Sequence, residues 1–172
     1  MTRYGQRVLI RDIRSPDIEQ LVAINEAAEP GVTPADAAEL ERLVTLSSLA
    51  LAAVDASGDV VGFAILMTPG AEYDSENFRW FEARGTDFLY LDRIAVAPQA
   101  RDRGIGTALY HAVFAAAREQ GKLEVTCEVN LDPPNPGSQR FHARLGFTEV
   151  GQLVTKGGAY TVSLLAARLP VP

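Results

Sequence analysis

The spacing of apolar residues changes several times along the chain, and each change predicts an element. Val8 to Ile13 reads as a strand, with Leu9 or Ile10 and Ile13 available to a core. Ser15-Pro16-Asp17 predicts a helix start, Ser15 as N-cap and Pro16 at the first helical position. Ile18, Leu21, Val22 and Ile24 supply that helix with an apolar stripe, and Pro30-Gly31 ends it. A second helix is expected to open at Thr33-Pro34 and run through Leu40 and Leu43. The apolar runs Leu49 to Val54 and Val60 to Met67 flank Asp55-Ala56-Ser57-Gly58-Asp59, a hairpin pattern. Residues 69–86 are polar and aromatic; a connection this long is often functional, with room for a short helix. Phe88 to Val96 predicts a strand, and Ile105 to Gln120 a helix with Leu109, Val113 and Ala116 at helical spacing and Gly121 as its C-cap. Leu123 to Val129 reads as a strand, Pro136 to Leu145 as a short helix stopped by Gly146. Phe147 to Val154 and Tyr160 to Leu165 would close the fold around Gly157-Gly158. Strands first, then a βαβα unit, then strands again point to a mixed α/β sheet. The chain shows no repeat or linker, so residues 1–172 are expected to form one domain.

Composition narrows the function classes. A net charge of −6 argues against nucleic-acid binding by bulk charge, so an anionic ligand needs local groups. No apolar run reaches membrane-spanning length. The start, Met1 to Arg7, precedes only a short apolar stretch without the h-region of a signal peptide. A cytoplasmic protein that contacts neither membrane nor nucleic acid is expected. One cysteine, Cys127, excludes an internal disulfide, and with only two histidines there is no metal-ligand cluster.

The chemistry begins at the strand–loop–helix around Arg101-Asp102-Arg103-Gly104-Ile105-Gly106. Two glycines at a helix start let a ligand approach the backbone. The first-turn N–H groups lack intrahelical acceptors, and the helix dipole favours an anion there. Arg101 and Arg103 make this stretch locally basic. Two other phosphate motifs fail by spelling: the dinucleotide pattern needs a third glycine where Leu109 stands, and a Gly-Lys-Ser/Thr sequence is absent.

These residues resemble the GCN-five-related N-acetyltransferase (GNAT) superfamily. Arg101, Gly104 and Gly106 match its Arg/Gln-x-x-Gly-x-Gly/Ala motif, Leu91 to Pro98 looks like its fourth strand, and Asn135 through Ser138, Phe141, His142 and Leu145-Gly146-Phe147 resemble its second motif. The resemblance is specific over roughly residues 88–150. It implies an acyl-CoA N-acyltransferase fold, a mostly antiparallel twisted sheet flanked by helices, and transfer of an acetyl group from acetyl-CoA to a primary amine by direct attack. It further implies that the backbone of Ile94, Ala95 and Val96 pairs with the pantetheine arm in a splay between Val96 and Val129. Arg101, Asp102, Arg103, Gly104, Ile105, Gly106 and Thr107 would hold the pyrophosphate, with Asn135, Ser138 and Phe141 towards the pantetheine. By the same analogy a homodimer through the C-terminal strands is open.

Amine acetylation needs a neutral amine, a polarised thioester carbonyl and an acid for the departing thiolate. A backbone N–H near Val96 could stabilise the oxyanion. Glu128 is the first choice for the base, because Glu128-Val129 resembles a strand end where some family members place a glutamate; the stretch Asn130 to Pro134 that follows is longer here. Asp92, Glu72 and Asp74 are rivals, and an ordered water chain is an alternative. His142 stands where many members carry a tyrosine acid, although imidazole titrates near about 6.5 and phenol near about 10. The competing reading is a helix-surface histidine beneath the cofactor. Tyr73, Asn77, Trp80, Tyr90 and Asp92 are candidates for acceptor recognition, unless Trp80 and Phe81 only pack the loop onto the sheet. Strand alternation puts Tyr90, Asp92 and Ile94 on one face and Leu91, Arg93 and Ala95 on the other. A noncatalytic acyl-CoA sensor of the same fold and a nucleotide-binding protein are the alternatives.

Overall fold

The computed structural model describes residues 8–170, so the expectations drawn from Met1–Arg7 lie outside the described residues. The elements run β1 (Leu9–Asp12), α1 (Ile18–Ala28), α2 (Ala37–Leu46), β2 (Leu49–Val54), β3 (Val60–Met67), α3 (Glu76–Arg84), β4 (Phe88–Val96), α4 (Ile105–Glu119), β5 (Glu124–Asp132), α5 (Pro136–Arg144), β6 (Thr148–Thr155) and β7 (Tyr160–Arg168). The strands order as β1-β2-β3-β4-β5-β7-β6. β1–β2, β2–β3, β5–β7 and β6–β7 pair antiparallel, whereas β4 and β5 are parallel over Phe88–Tyr90 and Glu124–Thr126. This is the mixed, mostly antiparallel sheet the sequence predicts. The chain forms two compact units, one holding residues up to Leu66 together with Arg93–Val113, the other Met67–Asp92 with Phe114 onward.

In the first unit, β3 is buried along its whole length, which is why it reads as an unbroken apolar run. Gly62 in that run has a packing reason: a Cβ there would lie 3.1 Å from Ala95 O, 3.1 Å from Ile105 Cγ2 and 3.4 Å from Leu109 Cδ1. The bare backbone of β3 therefore lets the first turns of α4 come close. In the β2–β3 turn, Asp55 Oδ1 accepts from the N–H groups of Ser57 (2.9 Å) and Asp59 (3.1 Å). Leu9 is exposed, so Ile10 and Ile13, both half-buried, are the inward positions of the first segment.

Both helix starts in this unit differ from the expectation. Ser15 is not an N-cap but lies within a short 3₁₀ turn, Ser15–Asp17, ahead of α1. Asp17 does the anchoring: its carboxylate accepts from Arg14 N at 2.7 Å and takes a two-pronged pair from Arg11 at 2.7 and 2.9 Å. A carboxylate takes the two-pronged guanidinium on two charged oxygens and still accepts from a backbone donor; a hydroxyl has neither the second oxygen nor the charge. The second helix opens at Ala37 rather than at Thr33-Pro34, because Asp36 is the residue whose side chain caps it, accepting from Glu39 N at 2.8 Å.

In the second unit, the polar segment 69–86 contains α3. Ser75 caps it at Phe78 N (3.3 Å), and Gly85, at φ +78°, ends it. Its Phe78 and Phe81 pack against Phe88 and Tyr90 of β4, with ring centroids 5.4–6.0 Å apart. Arg84 pairs with buried Glu124 of β5. At the other end Glu76 Oε2 accepts from Lys156 N at 3.0 Å. Trp80 lies against Gly151 of β6, where a Cβ would collide with the indole. The two readings of this segment are thus combined: Trp80 and Phe81 pack it down, and Tyr73 reaches the site described below.

Candidate active site

The loop Arg101–Gly104 connects a short turn, Pro98–Ala100, to α4. Asp102 (φ +59°) and Gly104 (φ +78°) are both left-handed, a conformation that aspartate tolerates and glycine adopts freely. Gly104 is exposed, and a Cβ there would meet nothing within 4 Å, so its surroundings have room for a ligand. The first intrahelical bond here runs from Ala108 N to Gly104 O at 2.9 Å. The N–H groups of Ile105, Gly106 and Thr107 precede it and are the orphan donors of a helix start. The residues present fit a pyrophosphate. In this structure Arg101 Nη2 donates to Ala27 O (3.0 Å) and Nε to Val96 O (3.4 Å). It fastens the end of α1 to the end of β4.

The alternation expected for β4 is seen in the burial of Leu91, Arg93 and Ala95 against the half-exposure of Asp92, Ile94 and Val96. Arg93 was unassigned from sequence. It is buried and donates from Nη1 to Asn25 Oδ1 (3.0 Å) and Thr33 O (3.2 Å), holding the α1–α2 connection.

The second unit carries the carboxylates. Tyr90 of β4 is fully buried and its hydroxyl donates to Glu128 of β5, 3.0 Å from Oε1 and 2.9 Å from Oε2. Tyr73 donates to Asp92 Oδ1. Burial pushes the Tyr90 phenol well above its ordinary value, and the charges of Glu128 and Asp92 push it the same way. Tyr90 therefore stays a neutral donor at physiological pH. The parallel register sets Thr126 opposite Tyr90, and alternation places Glu128 on the same face. Thr126 is fully buried and its Oγ1 has no hydrogen-bond partner. Asn77, on α3, also has a buried side-chain oxygen without a partner. Of the five acceptor candidates, Tyr73 and Asp92 form one hydrogen-bonded pair, and Tyr90 forms another with Glu128. The rival Asp74 instead pairs with Arg79 at 2.6 Å on the surface.

Around α5, Asn135 is the N-cap, accepting from Ser138 N at 3.3 Å. His142 is buried, which corrects the helix-surface reading. Its Nδ1 lies 2.7 Å from Ser138 O, so that nitrogen carries the proton, and the ring packs between Phe141 and Phe147. Burial lowers its pKa below the usual imidazole value, outweighing the raising effect of the Ser138 carbonyl. Among the described residues no group of acidic, histidine or cysteine side chains could hold a metal, and no helix is long and apolar enough to cross a membrane.

Sequence reasoning missed Gly62 and Thr126. A glycine inside an apolar strand run signals close approach, and Thr126, two residues before Glu128, shares its face by alternation.

Comparison with known proteins identifies the family and the fold. Residues 18–147 match the "Acetyltransferase (GNAT) family". An aminoglycoside N(6′)-acetyltransferase type 1 from Klebsiella aerogenes is 35% identical over 104 residues, 60% of this chain and 61% of that protein. The match thus spans less than two thirds of that relative's length. An N-alpha-acetyltransferase from Sulfurisphaera tokodaii is 31% identical over 86% of this chain and 84% of its own. Among solved structures, Ard1 from Thermoplasma volcanium superposes with a TM-score of 0.78 at 22% identity, covering 95% of this chain and 99% of that one. A GNAT phosphinothricin acetyltransferase from Sinorhizobium meliloti, solved in complex with acetyl-CoA, superposes with a TM-score of 0.70 at 23% identity, covering 94% and 88%. The chain belongs to the GNAT family and is an acetyl-CoA-dependent N-acetyltransferase.

Proposed function

We propose that this chain binds acetyl-CoA through the loop and helix start Arg101–Thr107 and the β4 backbone of Ile94, Ala95 and Val96, and that Glu128 accepts the proton of the attacking amine. The observation that carries the assignment is the Tyr90–Glu128 pair. A fully buried phenol with a raised pKa holds the carboxylate in one orientation without neutralising it. Bound acetyl-CoA supplies an activated acyl carbon. In a ternary complex the amine nitrogen bonds to that carbon as its proton passes to Glu128. The carbon–sulfur bond breaks, and the departing sulfur takes a proton from solvent.

His142, offered by the sequence as the acid, suits a supporting role better. It is neutral, and its one N–H is committed to Ser138 O. It fixes α5, whose Asn135, Ser138 and Phe141 we place along the pantetheine arm. A basic patch or a long apolar surface plays no part in this reading; the partner is an amine.

The test is thiol release from acetyl-CoA across an amine panel. Glu128→Gln should lower kcat by about 10²–10⁴-fold while the KM for acetyl-CoA holds. Unchanged kcat would remove Glu128 from the reaction. Tight CoA binding without turnover on any amine would indicate the sensor instead.

A further inference from the structure

We propose that Tyr90 is a positioning residue through which the docking of α3 sets the alignment of Glu128, so that contacts of α3 remote from the reacting atoms govern the rate. The inference rests on the reading of Glu128 as the base and deepens it.

The helix is fixed to the second unit at three places. Glu76 Oε2 accepts from Lys156 N at 3.0 Å, Trp80 lies over Gly151 of β6, and Arg84 pairs with buried Glu124 of β5. Between these anchors Phe81 meets the Trp80 ring edge-on at 5.3 Å and the Tyr90 ring at 5.8 Å. Phe78 reaches the same Tyr90 ring at 5.4 Å. The Tyr90 hydroxyl then donates to Glu128, 3.0 Å from Oε1 and 2.9 Å from Oε2. Contact therefore runs in steps from Gly151 through Trp80, Phe81 and Tyr90 to the carboxylate.

The chemistry of a phenol makes this chain effective. Its oxygen lies on the ring axis, so the hydroxyl goes where the ring goes. Tyr90 is fully buried, and in a close-packed interior its ring moves only as its neighbours allow. The hydroxyl stands almost evenly between the two carboxylate oxygens, so a tilt of the ring favours one oxygen and turns the Glu128 head. Other groups around the pair are Asp92 and Tyr73, which act on the same phenol, and the Arg84–Glu124 ion pair on β5. On β7 the residue opposite Glu128 is Leu164, which carries no charge. A hydrogen bond given to a carboxylate favours its charged form. The Tyr90 hydroxyl thus helps to keep Glu128 ready to accept a proton as pH falls.

The experiment uses the intact enzyme, acetyl-CoA and the amine that turns over best in the panel. Tyr90→Phe keeps the ring and removes only the oxygen. It should lower kcat about tenfold to a hundredfold, the usual worth of a hydrogen bond to a charged group. It should also move the acid limb of the kcat/KM–pH profile to higher pH, with KM for acetyl-CoA near wild type. Gly151→Ala tests the far end of the chain. Its methyl would lie 2.4 Å from Trp80 Cζ2 and 2.8 Å from Cη2, so the indole must shift and α3 with it. kcat should fall again, and adding Trp80→Phe, a smaller ring, should recover part of the loss. In the Tyr90→Phe background Gly151→Ala should cost much less than it does alone, because both act on one link. Tyr90→Phe with unchanged kcat and an unmoved acid limb overturns the proposal. So does a Gly151→Ala loss that simply multiplies with that of Tyr90→Phe, or a folded Gly151→Ala enzyme with wild-type kcat. Glu128→Gln separates the two readings. If it spares turnover, the base assignment fails; if it abolishes turnover while Tyr90→Phe has no effect, only the role of Tyr90 fails.

Discussion

Gly62 offers a sharp test of how the cofactor loop is positioned, because it lies in β3, well away in sequence from the residues that face the ligand. Replacing it with alanine puts a methyl 3.1 Å from Ala95 O and 3.1 Å from Ile105 Cγ2. Ordinary van der Waals contact begins near about 3.5 Å, so each neighbour must yield a few tenths of an ångström. Ala95 O belongs to β4 and yields little. Ile105 begins α4, and its movement carries the Gly104–Thr107 amides with it. Overpacking by one methyl costs about 1–3 kcal/mol. In a chain of this size that lowers Tm by roughly 2–10 °C. If about 1 kcal/mol of the strain falls on the first turn of α4, KM for acetyl-CoA rises about fivefold, with kcat near wild type. Ile105→Leu, which removes the branched methyl, should recover part of both losses in the double variant. Steady-state kinetics with varied acetyl-CoA and a thermal melt read the two effects. A Gly62→Ala enzyme with unchanged Tm and KM would refute the packing argument. A loss in kcat alone would refute the link to the cofactor loop.

Other expectations follow from single residues. Gly104→Val places a β-branched side chain at φ +78°, where such residues are strained by about 1–2 kcal/mol; CoA should lose most of its stabilising effect in a thermal-shift titration, and an undiminished shift would exclude this loop. Asp17 has its carboxyl pKa lowered, chiefly by the Arg11 hydrogen bonds. Its contribution is therefore complete above the ordinary carboxyl range and lost as pH falls through the lowered folded value. Asp17→Asn should cost about 2 kcal/mol in urea unfolding at pH 7, and the gap to wild type should shrink in acid. His142 also costs stability in acid, but as a base that burial keeps from taking up a proton. Its folded pKa lies below the usual value, so the unfolded chain takes up the proton first, and stability falls as pH drops from about 6.5 towards the folded value. His142→Phe should remove that component of the pH–stability curve while retaining turnover; a curve unchanged from wild type would contradict the buried, neutral ring.

The sequence carried the elements well where periodicity is strong. β3, β4 and α4 appear within a residue or two of their expected bounds. It failed where local geometry chooses among chemically similar residues. Ser15 and Asp17 both look like caps, and only the position of Arg11 decides between them. The same holds for Thr33 and Asp36 at α2. The glycine loop was legible because its chemistry is contained in six consecutive residues. The two tyrosine–carboxylate pairs were legible only as separate candidates, since Tyr73–Asp92 and Tyr90–Glu128 join residues 19 and 38 positions apart, which one sequence does not encode locally. The burial of His142 and Arg93 was hidden for a similar reason: polar side chains signal burial only through partners, and theirs are backbone carbonyls and an amide.

Asp92 and Arg93 are consecutive, yet they serve opposite sides of β4, one reaching Tyr73 and the other Asn25. A slip of β4 by one residue would exchange them, sending a carboxylate into the guanidinium's buried seat and the guanidinium in among the tyrosines. Sheets built only of aliphatic side chains tolerate such errors at modest cost, whereas two opposite charges back to back make the misaligned strand doubly unfavourable. This dipeptide thus acts as an alignment mark, and a single-residue insertion or deletion between Leu89 and Ala95 should yield a chain that fails to mature rather than a slower enzyme.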